Sequence, residues 1–284
     1  MAPTDILITG TPRSGTTLMC HLLNKVDDCV ALHEPMKVKE FALLDSHAEV
    51  SPVIQDFCDS QRRSLLEHGR AISKNVGGAV PDNPYGSEKG ESGLRQSQAS
   101  KSEIAIDKPL TPDFTLVIKH NAAFTALVGE LAKRFRVYAV MRNPLAVLTS
   151  WNSIDMNARR GHVPGAERLD SRLAAELAAR EDRTERQLYL LSWFHEQWHR
   201  YLQPENFIRY EEVVESNGQS LAAVLPAASA LNEPLESRNL SSLYDRDEML
   251  RVGERLLASD GAHWQSYSKE SVERLLEAPA TSSA

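Results

Sequence analysis

The stretch Asp5-Ile6-Leu7-Ile8-Thr9-Gly10-Thr11-Pro12-Arg13-Ser14-Gly15-Thr16-Thr17-Leu18-Met19 decides the architecture of this chain. Ile6, Leu7 and Ile8 form a short apolar run of strand type. Gly10, Pro12 and Gly15 then break the pattern as a turn does. Leu18, Met19, Leu22 and Leu23 fall on one face of a helix. A strand, a glycine-containing loop and a helix in that order leave backbone N–H groups and a helix dipole aimed at one point, which favours an anion there.

The glycine spacing invites comparison with the phosphate loop Gly-x4-Gly-Lys-[Ser/Thr], but Thr16 stands where that pattern has Lys. The cation is instead Arg13, inside the loop. A loop without the lysine that reaches β- and γ-phosphates suits a shorter phosphate than a triphosphate.

Outward from this element the chain alternates apolar strands with helical patterns. Cys29-Val30-Ala31-Leu32 reads as a second strand, ending in His33-Glu34-Pro35; Pro35 biases Glu34 toward an extended conformation. Phe114–Ile118 is a third strand and delivers Lys119-His120-Asn121. Arg136–Met141 is a fourth and delivers Arg142-Asn143-Pro144, with Asn143 a natural N-cap and Pro144 a natural first helical residue. Asn206–Glu212 reads as a last strand and turn. Helical patterns cover residues 51–72, Phe124–Phe135 and Leu188–Leu202, with Trp193, Phe194 and Trp198 in the core. This order implies an α/β protein with a mostly parallel, doubly wound sheet between helices. Ligands of such sheets sit at the carboxyl ends of strands, so Arg13, Glu34, Lys119 and Arg142 should share one crevice. Ser150, about two turns into the helix after Arg142, offers a hydroxyl for a second phosphate.

Two stretches break the alternation. Residues 73–102 are rich in Gly, Ser and Pro and read as a flexible flap over the substrate site or a disordered insertion. Residues 155–186 are rich in Arg, Glu and Ala and read as a variable helical insertion with a solvated face, from which Arg159 and Arg160 could reach an anionic substrate. Together these give a single domain over 1–278 and a frayed tail over 279–284.

The bulk properties agree. The 284 residues carry a net charge of −7, which argues against a nucleic-acid partner. Three cysteines without CxxC spacing indicate reduced thiols rather than a disulfide frame or zinc site. No apolar run is long enough for a transmembrane helix, and a core strand within five residues of the start leaves no room for a signal peptide. A cytoplasmic protein is expected. No Walker-B-like Asp follows four apolar residues, so no metal is expected at the site.

These motifs resemble those of the sulfotransferases that use 3′-phosphoadenosine 5′-phosphosulfate (PAPS). Thr11–Leu18 is similar to the family's 5′-phosphosulfate loop, in the arginine form of tyrosylprotein and many bacterial members. Val140–Pro144 with Ser150 resembles the 3′-phosphate motif, and Arg209-Tyr210-Glu211-Glu212-Val213 resembles the Tyr-Glu-Asp-Leu segment. The resemblance implies a three-layer α/β/α fold related to P-loop nucleoside triphosphatases, and sulfuryl transfer from PAPS to a hydroxyl, leaving 3′,5′-adenosine bisphosphate (PAP). It implies that Ser14, Gly15, Thr16 and Thr17 hold the 5′-phosphate, that Arg13 and Lys119 stabilise charge on the bridging oxygen, and that Arg142 and Ser150 hold the 3′-phosphate, with Tyr210 beside the donor. It makes Glu34 the preferred general base and His120 the rival, since other members use a histidine from the equivalent strand end in a Lys-Thr-His run, one residue longer than Lys119-His120. His33 is then a hydrogen-bonding neighbour.

The chain departs from the family where Leu18 replaces an adenine-stacking Trp, and where the C-terminal Gly-x-Trp motif shrinks to Gly261-Ala262-His263-Trp264. The acceptor expected is a small molecule, a glycan or a lipid. A P-loop kinase of small molecules or a non-catalytic nucleotide-binding module are the alternatives.

Overall fold

The computed structural model describes residues 5–278, so the expected tail over 279–284 lies outside the described residues. Strand β1 (Asp5–Gly10) leads into helix α1 (Thr16–Leu23) and strand β2 (Cys29–His33). Helix α2 (Val50–His68) precedes four strands: β3 (Arg70–Asn75), β4 (Tyr85–Lys89), β5 (Arg95–Ser97) and β6 (Ser100–Ala105). Strand β7 (Thr115–Lys119), helices α3 (Ala122–Ala126) and α4 (Val128–Leu131), strand β8 (Arg136–Met141) and helix α5 (Pro144–Asn152) follow. Helices α6 (Pro164–Glu167), α7 (Ser171–Ala178) and α8 (Arg183–Tyr201) lead to strand β9 (Phe207–Arg209), helix α9 (Tyr210–Glu215), α10 (Arg246–Leu257) and α11 (Lys269–Glu277).

The central sheet has the order β2-β7-β1-β8-β9, and every pairing in it is parallel. Covered by helices on both faces, β1 has Ile6, Leu7 and Ile8 without exposure, and β2 and β7 are buried along their whole length. This explains their continuous apolar runs in place of alternation. The connection after β1 leaves toward β2 and the one after β8 toward β9. The two diverge between neighbouring strands, and that divergence opens the crevice into which the ends of β1 and β8 project.

The segment expected as a flap or disordered insertion carries paired β-strands. Strand β3 pairs antiparallel with β6 over six positions, from Arg70↔Ala105 to Asn75↔Ser100. Strands β4 and β5 form a second pair, and Arg95 bridges to Ile154 beyond α5. The Phe124–Phe135 helix is broken at Leu127 into α3 and α4. Residues 155–186 are helical in pieces because they hold their own stop and start signals. Gly161 takes a left-handed conformation (φ 76°), and the carboxylates of Asp170 and Asp182 accept from the amides of Leu173 and Glu185 to begin α7 and α8. Trp193, Phe194 and Trp198 lie in the core of α8 as expected.

Candidate functional site

The loop after β1 is built so that only glycine fits at its two ends. A Cβ on Gly10 would lie 2.6 Å from Thr16 Cγ2 and 2.7 Å from the Val140 carbonyl oxygen. Gly15 has φ 95°, and a Cβ there would meet the Tyr210 ring at 2.7 Å. The loop is braced from behind by Trp151, whose indole N–H donates to the Pro12 carbonyl at 2.7 Å. Helix α1 starts on Gly15 without a side-chain cap, and the hydroxyl oxygens of Thr11 and Ser14 are buried with no hydrogen-bond partner. Uncapped amides and orphaned hydroxyls around a tight cradle suit an anion.

Arg13 sits in the left-handed region (φ 73°), which turns its side chain over the cleft. Its Nε donates to Ser150 Oγ at 3.1 Å and its Nη1 to Asn83 Oδ1 at 3.0 Å, while the guanidinium lies 4.8 Å from the centre of the Tyr85 ring. Burial lowers its pKa to about 10, leaving it charged at neutral pH.

Arg142, from the end of β8, is buried and packs 4.6 Å above the Tyr210 ring. It donates through Nε to Asn239 Oδ1 (2.8 Å), through Nη1 to the Arg13 carbonyl (2.9 Å) and through Nη2 to the Arg238 carbonyl. Burial opposes its charge, but Tyr244, Tyr210 and Glu211 more than offset this and raise its pKa. The Tyr244 hydroxyl donates to the Arg238 carbonyl at 3.2 Å; burial opposes its ionisation, but Arg142 and neighbouring groups outweigh this and lower its pKa. A guanidinium has five N–H donors, so Arg142 keeps some free for a ligand while fixing the loop.

Glu34 is a second non-glycine residue in the left-handed region (φ 46°), so it turns where the sequence suggests extension. Its amide donates to the Lys119 carbonyl at 2.8 Å, and its carboxylate lies between two lysines: Lys119 Nζ is 3.0 Å from Oε1 and Lys74 Nζ 2.6 Å from Oε2. His33 Nε2 is 3.9 Å from Oε1. Burial would raise the Glu34 pKa, but Lys119 and then Lys74 outweigh it and hold the carboxyl well below its ordinary range. His120 is buried, and its Nε2 accepts from the Met36 amide at 3.1 Å. Burial holds it neutral, lowering its pKa to about 3.

Arg13, Glu34, Lys74, Lys119, His120 and Arg142 line one cleft of about 1480 Å³, above the range usual for a single small ligand, whereas Thr11, Ser14, Ser150 and Asn239 stand behind its wall. Its walls carry Arg13, Lys74, Arg95, Lys119, Arg142 and Arg238 against Glu34, Asp82, Asp155 and Glu236. Among the described residues no group of three or more His, Cys, Asp or Glu is arranged to hold a metal. None of the helices described there is long and apolar enough to cross a membrane.

Residues 3–225 match the family of the sulfotransferase domain. The chain belongs to the sulfotransferase family. Similar solved structures include the sulfotransferase STF1 from Mycobacterium tuberculosis, at 12% identity over 98% of this chain and 77% of that one, TM-score 0.34. Another is the sulfotransferase STF9 from Mycobacterium avium, at 14% identity over 97% of this chain and 75% of that one, TM-score 0.35. No curated protein sequence matches the chain.

In this sulfotransferase the segment after β9 does more than line the site. Tyr210 closes against Gly15 and under Arg142. Glu211 Oε1 accepts from the Asn143 amide and Asn239 Nδ2, both at 2.9 Å, and its Oε2 accepts from the Tyr267 hydroxyl at 2.8 Å. One carboxylate thus ties the start of α5 to the C-terminal third. The Gly261–Trp264 stretch is elsewhere: His263 is buried and packs against His195 of α8. Arg159 and Arg160 do not line the cleft.

Sequence reading missed Lys74, Asn83, Tyr85, Asn239 and Tyr244. All five come from the ribbon segment or from irregular chain near residue 240. No motif marks them; a lone lysine after alternating small residues was the only trace of Lys74.

Proposed function

We propose that this sulfotransferase moves a sulfuryl group from PAPS to the hydroxyl of a small-molecule, glycan or lipid acceptor, with Glu34 as general base. The observation that carries this reading is the meeting of Glu34, Lys119 and Arg13 in the cleft that the glycine-bounded loop opens into. The residues fit the donor: a cradle without room for a Cβ, orphaned hydroxyls at Thr11 and Ser14, and a second cation at Arg142.

When bound, PAPS supplies an activated sulfuryl group on a phosphosulfate anhydride. The amides of Ser14, Gly15, Thr16 and Thr17 would hold the 5′-phosphate, and Arg142 with Ser150 the 3′-phosphate. Glu34 would take the proton of the acceptor hydroxyl as its oxygen bonds to sulfur. Arg13 and Lys119 would stabilise the charge left on the bridging oxygen as the sulfuryl group passes from it to the acceptor oxygen. Glu34 suits this better than His120, because the one ring nitrogen of neutral His120 that can accept is occupied by the Met36 amide. The reading places the enzyme in the cytoplasm, in keeping with three buried free thiols.

Thermal unfolding with added nucleotides tests the donor. PAP without magnesium should raise the melting temperature and ATP should not. Stabilisation by magnesium–ATP alone would overturn the proposal.

A further inference from the structure

The carboxylate of Glu34 has a lysine on each side, and the two lysines come from different parts of the fold. Lys119 ends β7, the neighbour of β1 in the sheet, and so approaches from the side of the phosphate loop. Lys74 belongs to β3, in the ribbon that packs beyond β2 through the bond from the His33 amide to Ser73 Oγ at 3.0 Å. One carboxylate oxygen is held from each side: Oε1 by Lys119, Oε2 by Lys74.

The two lysines cannot have the same job. If Glu34 receives a proton, one oxygen must be released to face the acceptor hydroxyl. Lys119 is the lysine within reach of the loop, so its turn toward the donor would release Oε1. A carboxylate freed on both sides would swing in a cleft this wide. We propose that Lys74 is a positioning residue for the sulfuryl transfer: it anchors Glu34 through Oε2 so that Oε1 is presented to the acceptor once Lys119 turns to the donor. This rests on the donor and base assigned under the proposed function.

Further observations support a built contact. Lys74 sits near the C-terminal end of β3, where its neighbours Ser73 and Asn75 are buried and bonded: Asn75 Nδ2 donates to Ser102 Oγ at 2.7 Å, which locks that end of the ribbon. Lys74 is raised in pKa despite partial burial, with Glu34 the opposing cause. The groups that act electrostatically on Glu34 are Lys119 and His120 from the end of β7, Lys74 from β3, and His33 beside it. Lys101 of β6, Tyr85 of β4 and Cys20 of α1 also feel its charge. Lys101 is already turned to the Met36 carbonyl at 2.6 Å, so it does not stand in for Lys74.

The test compares wild type with Lys74→Met and Lys74→Arg. In protein labelled with ¹³C at glutamate carboxyls, the Glu34 signal is assigned by its loss in Glu34→Gln and titrated without donor. Lys74→Met should raise its midpoint by about one pH unit, and Lys74→Arg should return it toward wild type. In turnover, Lys74→Met should lower kcat about tenfold, with the donor KM unchanged and the acid limb of the kcat profile moved upward; Lys74→Arg should recover most of the rate.

An unmoved Glu34 midpoint and acid limb in Lys74→Met would overturn the proposal, as would an equal loss in Lys74→Arg. Thermal stabilisation by PAP, measured on the same proteins, separates the two readings. If wild type does not bind PAP, the donor assignment fails. If both wild type and Lys74→Met bind PAP and the midpoint stays put, only the role of Lys74 fails.

Discussion

Arg142 donates to the backbone carbonyl of Arg13 at 2.9 Å, so the cation at the end of β8 holds the loop that follows β1. The two motifs are 129 residues apart in sequence, yet the second shapes the first. Arg142→Lys keeps a positive charge but loses the fork that reaches Asn239, Arg13 and Arg238 together. It should weaken PAP binding by about 2 kcal/mol, roughly thirtyfold, read by calorimetric titration. Binding at wild-type strength would show that a point charge suffices.

Gly15→Ala places a methyl group against the Tyr210 ring at a left-handed φ. It should cost about 2 kcal/mol or more in unfolding free energy and remove stabilisation by PAP. Gly77→Ala is the control, since its φ is 59° but nothing lies within 4 Å. That variant should lose only about 1 kcal/mol and keep PAP binding. Denaturant titrations compare the two.

Glu34→Gln removes the proposed proton acceptor while keeping the shape of the side chain. Turnover should fall about a hundredfold or more, with PAP binding retained. A steady-state assay at saturating donor and acceptor decides it; full turnover would dismiss Glu34 as the base.

His120 and His33 are buried neutral, with pKa values lowered to about 3 and about 2 from 6.5. Their folded values lie below the unfolded one, so the unfolded chain takes up protons first as pH falls. The stability they contribute is complete above pH 6.5 and is lost progressively below it. Each should cost about 2 kcal/mol by pH 5. His120→Gln should therefore lose less stability than wild type between pH 7.5 and pH 5, measured by urea unfolding. Equal losses would show that His120 is protonated in the folded state.

Much of the sheet was legible because its strands are buried on both faces. The runs around Leu7, Val30, Val117 and Val140 needed no partner to be recognised, and parallel pairing then carries Arg13, Glu34, Lys119 and Arg142 to one edge. The ribbon was not legible for the opposite reason. Strand β3 buries Ala71, Ser73 and Asn75 on its inner face, so its period-two pattern is written in small and polar residues that carry no hydrophobic signal. Lys74, Asn83 and Tyr85 were hidden with it. The turn at Glu34 was misread too, because Pro35 favours extension while the bond to the Lys119 carbonyl holds φ at 46°.

The ribbon also offers a handle for observation. Its β4–β5 tip is closed by bonds from the Gly93 amide to Gly90 and from the Gly90 amide to Leu94, and Ser92 is exposed there. Cys20, Cys29 and Cys58 are all buried, so in Ser92→Cys the new thiol would be the one that reacts readily with a maleimide dye. The dye would ride on the β4–β5 pair, whose first residue Tyr85 lines the cleft. Occupation of the cleft could then be followed as a change in fluorescence, without a coloured substrate or a radioactive donor.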